Sequence, residues 1–301
     1  MQLKTLFIFL IQFSFSCNGH ADQPGSKKYL SKPSITRDPG DNPYTHIGDI
    51  PLPAGFRREP GDMNSFAAFL RNTGLKKDKT VLLFNGQAKH NQSAQYAVLN
   101  ITVGNRNLQQ CADAVMRLRS EFLFTEKRYE QIIFFDNDNS AYKFSAPYTR
   151  ENFMIYLNRV FGMCGSASLS KQLKPVADLS TIQAGDVFIR GGFPGHAVIV
   201  MDVVVNEAGK KIYLLAQSYM PAQDIHVLKN PMNESLSPWY EVNDDILIET
   251  PEYIFHRNEL KRWKSAGLRR PECSVMLRHE ASPWELSYYQ LNSVEILSAS
   301  G

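Results

Sequence analysis

Chemistry in this chain would fall to one histidine, one glutamine and two cysteines. His196 follows GGFPG and opens a strand-like run, so a tight glycine-proline loop delivers an imidazole to a rigid strand start. The ring is either a working base or a ring bonded to a loop carbonyl, the commoner fate of a lone histidine. Gln217 and Ser218 interrupt the otherwise apolar KKIYLLA. A buried amide must be hydrogen-bonded, and in a hairpin closed at EAGK the Gln217 side chain can lie beside the start of the preceding strand. There it orients the His196 ring as a third triad member does, or it bonds the backbone of SYMPAQ instead.

Such a base wants a nucleophile. Cys111 stands at or near a helix start, where the dipole and free amides favour a thiolate and lower the thiol's pKa. Cys164, in FGMCGSASLSKQL, stands at a second possible helix start between Gly162 and Gly165. The alternative for each is a small buried apolar residue, the commonest fate of a free cysteine. Arg117, Arg119 and Glu121 share the Cys111 helix; two guanidinium groups could take a carboxylate bidentately and suit a peptide or muropeptide. Pairing with nearby acids on a solvated helical face is the commoner use. Tyr219, within SYMPAQ, either lines the site or belongs to a structural turn. No Cys/His cluster has zinc-ligand spacing, so no metal or other cofactor is expected.

These residues need a scaffold. Strands are predicted over Thr80–Asn85, Tyr96–Val103 and Gln131–Asp136, each rich in β-branched or aromatic residues between turn formers. In LQQCADAVMRLRSEFLF, Leu108, Cys111, Val115, Leu118 and Phe122 recur at helical spacing. A second helix is predicted over TRENFMIYLNRVF with Thr149 as N-cap and Glu151 near the positive end of the dipole. These elements make a first part, to about Asn158. The second part holds GDVFIRGG (Gly185–Gly192), GHAVIVMDVVVN (Gly195–Asn206) and KKIYLLAQSY (Lys210–Tyr219), the last two joined by EAGK as an antiparallel hairpin. The unbroken apolar middle strand implies burial on both faces. EYIFHRNELKRW reads as a short amphipathic covering segment. The expected fold is α+β, a central, mainly antiparallel sheet with helices packed on it, in one domain over 43–263.

The chain of 301 residues opens with MQLKTLFIFLIQFSFSC, whose lone Lys4 and apolar run read as an export signal over 1–16. The run is too short to span a bilayer, which takes about 20 apolar residues. Cys17 resembles the acylated cysteine of a bacterial lipoprotein; the alternative is plain cleavage after Ser16 or Ala21. Residues 17–42 are polar and aperiodic, a tether that would hold the folded part off a membrane. Residues 264–301 form a weakly patterned tail. The protein is expected in the cell envelope, periplasmic or on the outer surface. Beside Cys17 there remain Cys111, Cys164 and Cys273, so one thiol is left over even if Cys164 pairs with Cys273. A net charge of +3 with intermixed acids and bases gives no basic stripe, and nucleic acid is discounted as a partner.

GDVFIRGGFPGHAVIVMDV, LLAQSYMPAQDIHVLKNP and LQQCADAVMRLRSEFLF closely resemble the bacterial family known as domain of unknown function 4846, from Tyr44 to Trp263. The family name carries no activity. More distantly, the order of a helix beginning at cysteine, a strand opening with Gly-Asp, a strand opening with His and a following strand with a polar residue looks like NlpC-type, papain-like cysteine peptidases and amidases. That resemblance implies a papain-like core and a cysteine that attacks an amide carbonyl, with histidine as general base and a polar residue orienting it. The roles fall on Cys111, His196 and Gln217, with Cys164 the alternative nucleophile and a peptide, with peptidoglycan in view, as substrate. Cys111 is preferred because its helix resembles the nucleophile helix of that superfamily, and because little chain separates Cys164 from His196. A non-catalytic envelope lipoprotein that binds glycan, peptide or protein through the same cleft is the competing reading.

Overall fold

The run HAVIVMDVVVN has almost no polar interruption because the strand it forms is covered on both faces. The structure, a computed structural model, describes residues 40–264. The expected signal segment, Cys17, most of the tether, Cys273 and the tail lie outside the described residues. Strands β1 (Phe56–Arg57), β2 (Gln95–Val98), β3 (Ile133–Phe135), β4 (Ala141–Lys143), β5 (Leu173–Pro175), β6 (Val187–Arg190) and β7 (His196–Asn206) are followed by β8 (Lys211–Gln217), β9 (His226–Leu228), β10 (Tyr240–Glu241), β11 (Leu247–Glu249), β12 (Ile254–His256) and β13 (Leu260–Trp263). Four helices accompany them: α1 (Phe66–Arg71), α2 (Cys111–Thr125), α3 (Arg150–Met163) and α4 (Ser166–Gln172).

The fold is α+β, with a nine-stranded antiparallel sheet ordered β2-β9-β8-β7-β6-β13-β5, to which β1 adds on β7 and β10 on β8. Period-two alternation sorts β7 between two cores. Ala197, Ile199 and Met201 enter the larger core with the helices, while Val198 and Val200 join Tyr213, Leu215, Phe255 and Leu260 in a smaller core on the opposite face. The β7–β8 hairpin closes at Glu207–Lys210, as EAGK predicts, with Gly209 at φ +77° where a side chain would be strained. A register shift between Val200 and Asp202 resets the alternation and turns Asp202 inward. There its carboxylate meets Arg58 Nε at 2.8 Å and Arg71 Nη2 at 3.0 Å, tying α1 to the strand. Thr149 caps α3, its hydroxyl accepting from the Asn152 N–H.

Four expectations are corrected. Residues 80–85 form no regular strand, because their donors go to other partners: Leu82 N–H to the Asp224 carboxylate, Leu83 N–H to the Gln87 carbonyl and Phe84 N–H to the Ala222 carbonyl. The strand expected over Tyr96–Val103 stops at Val98, after which Leu99 and Asn100 donate to loop carbonyls of Ile225 and Gly74. The described residues do not divide at about Asn158, since β2, from the expected first part, adds to the same sheet beside β9. EYIFHRNELKRW is two strands joined by a 3-10 turn at Arg257–Glu259; its last residues form β13, inserted between β6 and β5, where Leu260 fills the smaller core.

Candidate active site

Three glycines explain how His196 reaches its position. A Cβ on Gly195 would come within 2.3 Å of Ser166 Oγ and 2.5 Å of the Gly192 carbonyl. One on Gly191 would come within 3.2 Å of the Ala167 Cα, and Gly192 has φ +125°. The loop before β7 can therefore lie flat on the start of α4, and β7 begins with its ring already aimed.

That ring is buried, with Tyr219, Tyr253 and Phe255 packed around it at centroid distances of 4.6, 4.8 and 5.8 Å. Its Nε2 lies 2.8 Å from Gln217 Oε1. The Gln217 amide can face only one way, because its Nε2 donates to Glu252 Oε2 at 2.8 Å and a carboxylate only accepts. Oε1 therefore faces the imidazole, Nε2 of His196 carries the proton, and the lone pair is on Nδ1, which makes no hydrogen bond among the described residues. Glu252 is itself fixed by Lys89 Nζ at 2.5 Å and Asn91 Nδ2 at 3.0 Å. His226 completes the network: its Nδ1 donates to the Asp224 carbonyl at 2.9 Å, leaving Nε2 to accept from Gln217 Nε2 at 3.4 Å.

Cys111 is the first residue of α2, and its sulfur accepts from the backbone N–H groups of Cys111, Ala112 and Ala197, the last being the residue after His196. Cys111, His196 and Tyr219 line one cavity of about 560 Å³, together with Asp113, Cys164 and Tyr253. The thiol's expected acidity is corrected. Burial pushes it up to about 11, with the Asp113 carboxyl adding to the rise, and the three amides only partly oppose this. The dipole is worth roughly 0.3–1 kcal/mol at an exposed helix end, whereas full burial moves a pKa by up to about 3–5 units. Burial likewise drives His196 down to about 4 and His226 to about 3, with Lys89 contributing to both. At neutral pH the site holds a neutral thiol beside a neutral imidazole.

Cys164 is the C-cap of α3 and stands directly before Gly165, the N-cap of α4, and its thiol, hydrogen-bonded to Ser168, is pushed up to about 12 by burial first and then by Asp136 and Asp113. It is a free thiol. The arginines are a further correction. Arg117 is buried, pairing with Glu121 Oε1 at 2.6 Å and Gln109 Oε1 at 3.0 Å. Arg119 lies over the rings of Phe66, Phe122 and Trp263 at 5.0, 5.4 and 5.6 Å. Neither lines the cavity: Arg117 is held by Glu121 and Gln109, and Arg119 by the aromatic rings.

Glu252, Lys89, Asn91 and Tyr253 escape sequence reasoning, since Lys89 and Asn91 lie in a loop without periodicity and Glu252 and Tyr253 open the stretch read only as a cover. His226 leaves one trace, as a polar residue inside the strand-like DIHVL. The model of a family described as Domain of unknown function (4846) matches residues 48–147 and 136–262. No curated protein and no solved structure matches the chain.

Proposed function

We propose that this chain, which belongs to the domain of unknown function 4846 family, is a cysteine hydrolase of the amidase or peptidase type. Its NlpC-like character is part of that proposal and rests on the order of Cys111, His196 and Gln217 along the chain and on their meeting beside one cavity. The observation that carries the reading is the directed chain Glu252–Gln217–His196, which leaves an unbonded Nδ1 in a cavity that also holds a cysteine at a helix N-terminus.

A resting pair with a thiol near 11 and an imidazole near 4 calls for general-base chemistry rather than a preformed ion pair. As Cys111 Sγ bonds the carbonyl carbon, its proton passes to His196 Nδ1. The carbonyl π electrons move to oxygen, where the first amides of α2 and the positive end of the helix stabilise the charge. Collapse breaks the carbon–nitrogen bond, and the departing amine takes the proton from Nδ1. Water then adds to the thioester, giving a proton to Nδ1; the acid leaves, and the thiol recovers that proton. Gln217 keeps the ring in the required tautomer throughout, and Glu252 with Lys89 keeps Gln217 from flipping.

Localisation belongs to the same proposal: an exported envelope protein, lipid-anchored at Cys17, supported by the apolar leader and the cysteine that ends it. Catalysis is tested with 4-nitrophenyl acetate. Peptide mapping should find an acetyl adduct on Cys111 in the wild type and none there in Cys111→Ala or His196→Asn. An adduct confined to Cys164, or none, overturns the assignment.

A further inference from the structure

Three of the exposed large apolar side chains among the described residues converge on the mouth of the Cys111 cavity from separate elements. Met163 ends α3 and is 54% exposed, Phe193 in the β6–β7 loop is 93% exposed, and Met220 in the β8–β9 loop is 65% exposed. Scattered apolar residues on a surface need no explanation; a group gathered around a nucleophile does. The lining is also notable for its charges. None of the lining residues is a lysine or arginine, and its one acid, Asp113, is buried, with its Oδ2 accepting from the Gln110 N–H and its carboxyl pKa raised by burial. Arg117 and Arg119, the groups that would have greeted a carboxylate, are committed elsewhere on α2.

We infer that the cavity takes a substrate whose acyl portion carries an uncharged aromatic or branched aliphatic group, lodged among Phe193, Met220 and Met163, and not a carboxylate-rich stem peptide. This rests on the hydrolase reading above. A carboxylate entering the cavity would lose hydration with no cation to receive it, while an apolar group would remove its own surface and that of the rim from water. Methionine and phenylalanine side chains at a mouth also adapt to ligands of varied outline, so preference is set by polarity more than by shape.

The test uses the full chain and two matched affinity labels, the chloromethyl ketones of N-acetyl-phenylalanine and N-acetyl-glutamate, with iodoacetamide as the small neutral reference. Peptide mapping reports each reaction at Cys111. The phenylalanine label should react at least about tenfold faster than the glutamate label, consistent with burial of one large apolar side chain. With each label's rate read relative to iodoacetamide on the same variant, Phe193→Ser, on an exposed loop residue, should shrink that ratio, because only the phenylalanine label loses an apolar surface to pack on. Equal rates, a faster glutamate label, or a preference untouched by Phe193→Ser together with Met220→Ser would overturn the inference while leaving the hydrolase reading intact. Iodoacetamide reaction at Cys111 that is indifferent to His196→Asn would remove the hydrolase reading and this inference with it.

Discussion

The start and the middle of β7 each hold a buried polar cluster, and the groups at their centres, His196 and Asp202, differ in what is left uncommitted. At Asp202 both carboxylate oxygens are taken, Oδ2 by Arg58 and Oδ1 by Arg71 and the Val203 N–H, and the two arginines tie α1 and the segment after β1 to the strand. At His196 the hydrogen bonds form a directed chain from Lys89 and Glu252 through Gln217 to the ring, then stop at Nδ1, beside a cavity and a free thiol. A closed charge cluster fixes register and holds α1 against the sheet; an open-ended one spends its donors on aiming a lone pair. The same strand, buried at both residues, thus serves the fold at Asp202 and offers chemistry at His196.

That contrast is broken most forcefully at Asp202. Asp202→Ala leaves two arginines facing a buried gap and should cost about 3–5 kcal/mol in urea unfolding. Cys111→Ala should leave stability within roughly 1 kcal/mol of wild type, as a small cavity-lining side chain allows. If the two variants are equally destabilised, the division of labour along β7 is wrong.

The pH dependence of stability sharpens the same division. His196 and His226 have folded-state values of about 4 and about 3 against the usual 6.5, so both are neutral in the folded and unfolded chain above pH 6.5 and stability is full there. Below that the unfolded chain takes up protons that the folded one refuses, and stability falls as the pH drops through the folded values. For His196 alone the loss approaches about 3 kcal/mol. Urea titrations at a series of pH values should show this decline, and His226→Gln should flatten it. A profile unchanged by His226→Gln would contradict the neutral network.

A smaller effect is expected from Gln217→Ala. It leaves the His196 Nε2–H and one Glu252 oxygen without their partner, at about 1–3 kcal/mol, and frees the ring to change tautomer, so acetylation of Cys111 should slow by about 100-fold. Nitrogen NMR of His196 separates the two consequences: wild type should carry its proton on Nε2, and the variant should show a mixture. Glu252→Gln should shift the ring in the same direction, since an amide there no longer dictates which way Gln217 faces.

Much of this arrangement was legible from local pattern. The EAGK turn between two apolar runs sets β7 against β8, and that pairing alone brings Gln217 back to His196. The helical spacing of Cys111, Val115, Leu118 and Phe122 is that of α2, while Leu108, read on the same face, lies in the turn before it. What was not legible depends on long-range contacts or on burial. Glu252 meets Lys89 and Asn91 across more than 160 residues of chain. Arg117 and Arg119 share a helix with Cys111, but their spacing cannot say that aromatic rings and Gln109 await them. The Cys111 thiol was assigned the wrong direction because the dipole can be read from a helix start, whereas the desolvation that outweighs it follows from α2 packing against β7. EYIFHRNELKRW reads only as an amphipathic cover, and the pairing of its last residues with β6 and β5 makes them a strand.

The account's central claim, that His196 acts as base for Cys111, is tested most directly by the rate of Cys111 alkylation with iodoacetamide between about pH 5 and 8, in wild type and in His196→Asn. The account predicts a pH-insensitive component in the wild type, supplied by the neutral imidazole, that falls at least about tenfold in the variant while Cys164 labelling stays as it was. A Cys111 rate that follows thiol ionisation alone and is indifferent to His196→Asn would contradict it.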